Sequence, residues 1–413
     1  IDEVHPPKVN MDGPLQMQIS ALDYNSYVGV IGIGRITRGI LKPNEQVLIV
    51  ESNENSRKGK VLQVMGYSGL ERVDVAEAQA GEIVCVTGID KLNISDTLCS
   101  LDKPEALSPL TVDEPTVSMT FQVNNSPFAG LEGKFVTSRN IKERLEQELI
   151  HNVALRVLEG DTPDKFIVSG RGELHLSVLI ENMRREGFEL GVSRPEVIKK
   201  EVDGQILEPY ELVMVDIEEQ HQGSVMEEFG NRRAELGNME LDGKGRVRLE
   251  FTIPSRGLIG FRSQSLTMTS GSGIMTSIFD RYAPTKQGDL AKRQNGVLVS
   301  MVNGKTLAYA LFNLQERGRL FLGHGVEVYE GQVIGLHARS NDLPVNPTKA
   351  KQLTNIRAAG TDENLVLSPP INHSLEQALE FIEDDELVEV TPKSVRIRKK
   401  LLKENERKRA PKL

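Results

Sequence analysis

Two stretches of this chain change hydrophobic period in the same order, from two to about 3.6 and back. In the first, 116–123 reads as a strand, followed by a polar loop over 124–133. Ile141, Leu145 and Leu149 then recur at helical spacing. Leu155 and Val157 flank Arg156 as in a strand, and 166–169 pairs with them across the turn Gly160-Asp161-Thr162-Pro163. Leu176, Leu179, Ile180 and Met183 fall at i, i+3, i+4 and i+7, which predicts a helix ended by Gly187. The last strand is 188–192. This strand-helix-strand-strand-helix-strand order is the split βαβ, or ferredoxin-like, α/β sandwich.

The second stretch repeats the plan. Val213, Val215 and Ile217 share a strand face, and Val225, Phe229 and Leu236 predict a helix closed by Gly237. Asp242-Gly243 signals a hairpin. Val247, Leu249, Phe251 and Ile253 alternate with Arg246, Arg248, Glu250 and Thr252. Pro254 and Ser255 open a second helix, and 274–279 closes the sheet.

The flanks read differently. Over 11–102, apolar runs broken by Gly29, Gly32, Gly34 and Gly39, with a turn at Lys42-Pro43-Asn44-Glu45, predict a small closed β-barrel. Gly29-Val30-Ile31-Gly32-Ile33-Gly34 lacks the spacing and the following helix of a dinucleotide fingerprint, so its glycines read as close strand approaches. After 286 the predicted strands are 297–302, 307–312, 326–329 and 332–337. A long polar loop runs from 339 to about 360. Ser374 and Gln377 form a capping box before a helix over 375–385, and a final hairpin turns at Pro392. The fold class is multidomain α+β. A linker occupies 1–10, the barrel 11–103, ferredoxin-like domains 113–195 and 207–284, a mixed β-rich end domain 285–397, and a basic tail 398–413.

At 413 residues, several cores are expected. The chain is 26% charged and 38% hydrophobic, with no apolar run long enough to cross a membrane as a helix. Its first residues carry no signal-peptide pattern. Cys85 and Cys99, the two cysteines, read as buried thiols in a reducing cytoplasm. No GxxxxGK[ST] loop, HExxH, GxSxG or cysteine zinc pattern occurs, and the seven histidines form no i, i+4 pair. The acidic run 383–386 reads as a solvated helix end. The chain is therefore expected to be non-catalytic, with no metal or cofactor of its own.

The net charge of −9 argues against uniform coating of nucleic acid, but cations cluster late in the chain. Arg339, Lys349, Lys351 and Arg357 punctuate the long loop among Asn341, Asn346, Thr348, Thr354 and Asn355, and Pro344 and Pro347 stiffen it. From Arg396 onward, Arg398, Lys399, Lys400 and five later cations face only Glu404 and Glu406. Cations among polar groups on an extended segment suit a phosphate backbone. The candidate RNA-binding residues are Arg339, Asn341, Lys349, Lys351, Arg357, Arg398, Lys399 and Lys400. The alternative reading is an ordinary polar loop and a solvated tail.

These residues carry a family likeness. Asp23-Tyr24-Asn25-Ser26-Tyr27-Val28-Gly29 and Gly34-Arg35-Ile36-Thr37-Arg38-Gly39 resemble the second-domain barrel of translational GTPases. Gly170-Arg171-Gly172-Glu173-Leu174-His175-Leu176 resembles the third-domain helix start of the elongation factor G group. Glu208-Pro209-Tyr210, with Ile253-Pro254 and Gly260-Phe261-Arg262, resembles that group's fifth domain. The domain that separates those two in elongation factor G has no counterpart here, where only 194–207 intervenes. Leu314-Gln315-Glu316-Arg317-Gly318, the segment 323–332 and Ser340-Asn341-Asp342-Leu343 resemble the C-terminal domain of the BipA/TypA family.

The likeness runs through essentially the whole chain. It implies a cytoplasmic factor that contacts the ribosome through ribosomal RNA, the A-site transfer RNA region and ribosomal proteins, with no membrane partner. The intact family protein is a GTPase implicated in large-subunit assembly and in growth under cold and stress. Its GTPase domain is expected to precede the 1–10 linker, with GTP and magnesium bound only there. A fragment of a LepA-like or elongation factor G-like protein is the alternative, and the end domain speaks against it.

Overall fold

The computed structural model describes residues 9–25, 27–51, 55–110, 114–286, 293–350 and 365–410. The chain divides into two compact units, 1–113 with 143–156, and 114–142 with 157–413. In the first, eight strands follow one antiparallel path: Ser56–Lys60, Gln46–Val50, Thr97–Cys99, Gln16–Asn25, Gly29–Arg38, Ile83–Thr87, Gln63–Ser68 and Glu71–Asp74. Register shifts at Gln16/Met17 and Ile19/Ala21 bend the two ten-residue strands. The sheet curves over one core that includes Met17, Ile19, Ile36, Ile49, Val64, Val86 and Leu98. A Cβ on Gly34 would collide with the Gln18 carbonyl, so this glycine serves close strand approach. Cys85 and Cys99 are buried free thiols.

The second unit contains two split βαβ sheets. The first orders Arg156–Glu159, Lys165–Gly170, Val117–Val123 and Leu190–Val192 side by side. Its helix Glu173–Glu186 buries Leu176, Leu179, Ile180 and Met183, and Gly187 ends it in the left-handed region at φ 102°. The sheet does not stop at Leu190–Val192. Glu386–Val390 pairs antiparallel with that strand, through Leu190↔Val390 and Val192↔Val388, and Val395–Lys399 pairs with Glu386–Val390. The final hairpin of the chain thus extends a sheet begun about 270 residues earlier.

The other sheet orders Lys200–Val202, Gln205–Glu218, Arg246–Pro254 and Glu235–Leu241, with Ile274–Pro284 on Gln205–Glu218. Val247, Leu249, Phe251 and Ile253 are buried, as their alternation predicts. Phe229 stacks on Phe251 at 4.1 Å and meets Phe261 edge-on at 4.8 Å. Leu236 departs from the expectation. Its helix ends at Asn231, Arg233 turns the chain at φ 66°, and Leu236 lies on the strand Glu235–Leu241. Gly237 marks a bulge there, not a helix cap.

In the end region, Gly318–Leu320, Val333–His337, Val297–Ser300 and Leu343–Val345 form a four-stranded sheet. The expected strand over 307–312 is instead the helix Ala308–Leu314. Its sequence AYALFNL has no β-branched residue, and Leu307, Leu311 and Leu314 fall at helical spacing. The capping box at Ser374 and Gln377 is present, but its helix, Leu375–Phe381, ends before the acidic run because Ile382 is extended at ψ 147°.

Glu173, in the Gly-rich motif, enters the second unit's interior. Its Oε2 accepts the Gly260 amide at 3.4 Å, while its buried Oε1 has no hydrogen-bond partner. Burial, then the Glu380 charge, push its carboxyl up to about 7, with Glu376 adding repulsion and the Gly260 amide and Arg194 opposing. A carboxyl raised in the folded state binds a proton that the unfolded chain has lost, so stability falls as pH rises between its ordinary value and about 7. Glu173→Gln is expected to match the parent near about pH 5 and to exceed it by roughly 2 kcal/mol near about pH 8. Urea unfolding at the two pH values checks this; an equal difference at both would contradict it.

Candidate nucleic-acid interface

Strand Glu386–Val390 is buried at every position. Glu386 lies at 0% exposure and receives two hydrogen bonds from Arg293, both 2.9 Å, and one ion pair from Lys399 at 2.9 Å. Burial alone would raise its carboxyl, yet Arg293 and Lys399 hold it below the ordinary carboxylate range. Lys399 is 2% exposed and also reaches Asp342 at 2.6 Å and Asp385 at 2.7 Å. Burial works against its ammonium, but Glu386, Asp342 and Asp385 keep it above its ordinary value.

Three residues along the strand, Glu389, also fully buried, binds Arg396 at 3.0 Å, Asn124 at 3.3 Å and the Tyr329 hydroxyl. Arg396 also pairs with Glu132. Arg398 is fully buried; it donates to Asn125, its Nε has no partner, and burial lowers its affinity for the proton.

This geometry corrects two of the expected phosphate contacts. Arg398 and Lys399 are not tail residues but the end of the strand Val395–Lys399, and their charges are turned inward. A buried cation already bound, as Lys399 is to Glu386, Asp342 and Asp385, is not presented to a partner's phosphates. Lys400 is exposed, with its amide donating to the Asp385 carbonyl at 2.8 Å. Arg339, Asn341 and Lys349 are also exposed. Lys351 and Arg357 lie outside the described residues.

The segment carrying Arg339 to Lys349 is firmly held. The Gly296 amide donates to the Arg339 carbonyl at 2.7 Å, and His337 Nδ1 meets the Asn341 carbonyl at 2.5 Å. Any Cβ on Gly296 would strike the Asn341 backbone, which only glycine permits. Asp342 accepts the Val297 amide at 2.9 Å while holding Lys399. Leu343–Val345 runs parallel to Val297–Ser300. Asn346 Oδ1 then accepts from the Thr348 amide and hydroxyl, both at 2.9 Å, and the Leu307 amide donates to Pro347 at 3.0 Å.

Arg339 and Lys349 therefore leave a fixed base, and neither has an ion-pair partner among the described residues. Arg317 and Arg319 share that condition. Sequence reasoning passed over them; the Arg-Gly-Arg triplet at 317–319 was the available signal. Among the described residues no group of three His, Cys, Asp or Glu side chains is placed to hold a metal ion.

Removing Lys399 leaves the buried Glu386 carboxylate short of a cation. Lys399→Met is expected to cost about 3–5 kcal/mol, whereas Lys349→Ala should change stability by no more than about 0.5 kcal/mol. Urea unfolding of both variants checks the contrast. Equal effects would place the two lysines in equivalent surroundings.

Three family descriptions match the chain: TypA/BipA C-terminal domain over residues 295–404, Elongation factor G C-terminus over 205–293, and Elongation factor Tu domain 2 over 29–99. Among curated relatives, the large ribosomal subunit assembly factor BipA of Escherichia coli (strain K12) is 64% identical over 410 residues, spanning 99% of this chain and 68% of that protein. The protein of the same name from Haemophilus influenzae is 63% identical over 410 residues, spanning 99% and 67%. That of Buchnera aphidicola subsp. Schizaphis graminum is 56% identical over 404 residues, spanning 98% and 66%.

Proposed function

The chain belongs to the TypA/BipA family, and on that premise we propose that it is the ribosome-engaging part of a large ribosomal subunit assembly factor. It acts in the cytoplasm by contact, with ribosomal RNA and the A-site transfer RNA region as its surfaces, and it catalyses nothing itself. GTP and magnesium are handled by a GTPase domain outside these residues. The family description over 295–404 argues against a LepA-like or elongation factor G-like fragment.

The observation that carries this reading is the sorting of cations in the end region. Arg293, Arg396, Arg398 and Lys399 are turned inward, while Arg339 and Lys349 stand exposed and without ion pairs among the described residues. Exposed cations without acidic neighbours are available to phosphates, and their fixed base reduces the ordering cost of contact. Lys351 and Arg357 join this surface in the proposal.

Binding of the chain to purified bacterial large ribosomal subunits should weaken steeply with salt. Changing Lys349 and Lys351 together to Ala should lower the slope of log affinity against log salt by about 1.5. An unchanged slope would remove this segment from the interface.

A further inference from the structure

The end region carries a second cationic edge. Gly318–Leu320 is the outer strand of the four-stranded sheet; its strand partner is Val333–His337, and the Leu320 carbonyl also accepts the Ile371 amide at 2.9 Å. Arg319 stands opposite Leu336, and the Arg317 carbonyl accepts the Ala338 amide at 2.8 Å. Arg319 lies on the strand, and Arg317 lies on the turn immediately before it, two residues earlier in sequence. Both are exposed, and neither has an ion-pair partner among the described residues.

Their backbone is fixed. A Cβ on Gly318 would collide with the Leu336 carbonyl, so the glycine lets the edge strand seat closely on its neighbour. Buried Leu320 anchors the far end. Arg339, also exposed, follows Ala338 on the neighbouring strand's exit, with its carbonyl held by Gly296.

We infer that Arg317 and Arg319, together with Arg339, form a phosphate-binding edge that takes the backbone of base-paired RNA. This rests on the RNA-contact reading above and adds residues and an RNA form to it. Guanidinium forks match phosphate oxygens in pairs. Single-stranded RNA is held largely by stacking of bases on aromatic rings. No aromatic side chain is among the exposed large hydrophobics of 293–350 and 365–410. A cationic edge whose neighbouring aromatics, such as Phe321, are partly buried reads backbone shape, which a duplex presents regularly. The plain alternative is that the arginines only discourage edge-to-edge strand pairing.

The test uses the full chain, an Arg317→Gln/Arg319→Gln variant and an Arg317→Lys/Arg319→Lys variant. Each is titrated with salt against purified bacterial large ribosomal subunits. The Gln variant should bind about tenfold more weakly at low salt and lose about 1.5 from the salt slope, while the Lys variant keeps the slope. An RNA duplex of about 16 base pairs should displace the parent chain from the subunits at lower concentration than poly(U). If the parent binds with a steep salt slope and the Gln variant matches it, the edge is not an RNA contact. If poly(U) competes as well as the duplex, the base-paired assignment is wrong. If the parent's binding does not vary with salt, the RNA reading beneath both proposals fails.

Discussion

Two carboxylates without access to water govern the second unit's architecture. Glu386 and Glu389 lie on a strand with a neighbour on each edge, and both are at 0% exposure. Such groups are tolerated only when cations and hydrogen bonds replace their lost hydration. The replacements come from distant parts of the chain: Arg293 is 93 residues from Glu386, and Asn124 is 265 from Glu389. Satisfying this one strand therefore ties the loop after Val117–Val123, the start of the end region and the last strand into one structure. Removing either partner of such a pair leaves a charge in a medium that cannot solvate it, so the ties act together.

The same chemistry decides what the surface can offer. Lys399 cannot balance Glu386 and also meet a partner's phosphate, so the basic end of the chain contributes fewer outward charges than its composition promises. Through Asp342, that buried lysine also fixes the segment bearing Arg339 and Lys349. Inward cations set the position of outward ones. A contact surface built this way presents its charges from ordered backbone, and binding then loses less conformational freedom than it would from a free loop.

Local periodicity was legible wherever one face of an element is buried. The alternation of Val247 to Ile253, the stripe of Leu176 to Met183, the left-handed Gly187 and the capping box of Ser374 and Gln377 each follow from neighbours in sequence. Leu236 misled because its apolar spacing continues a helix that the backbone ends at Asn231. The segment 308–314 misled because a short apolar run fits a strand or a buried helix equally well. Arg398 and Lys399 misled for a deeper reason. Cations in sequence look alike whether they face water or a buried carboxylate, and their partner strand lies in register only after folding. Pairing of Leu190–Val192 with Glu386–Val390 likewise leaves no local trace, since nothing near either strand names the other.

The division of lysines into inward and outward classes can be measured directly by amine-reactive labelling with mass-spectrometric readout, on the free chain and on the chain bound to large ribosomal subunits. Lys349 should be labelled when free and protected when bound, Lys400 should be labelled when free, and Lys399 should resist labelling in both states. Labelling of Lys399 in the folded free chain at the rate of Lys400, or no protection of Lys349 on the subunit, would contradict the account.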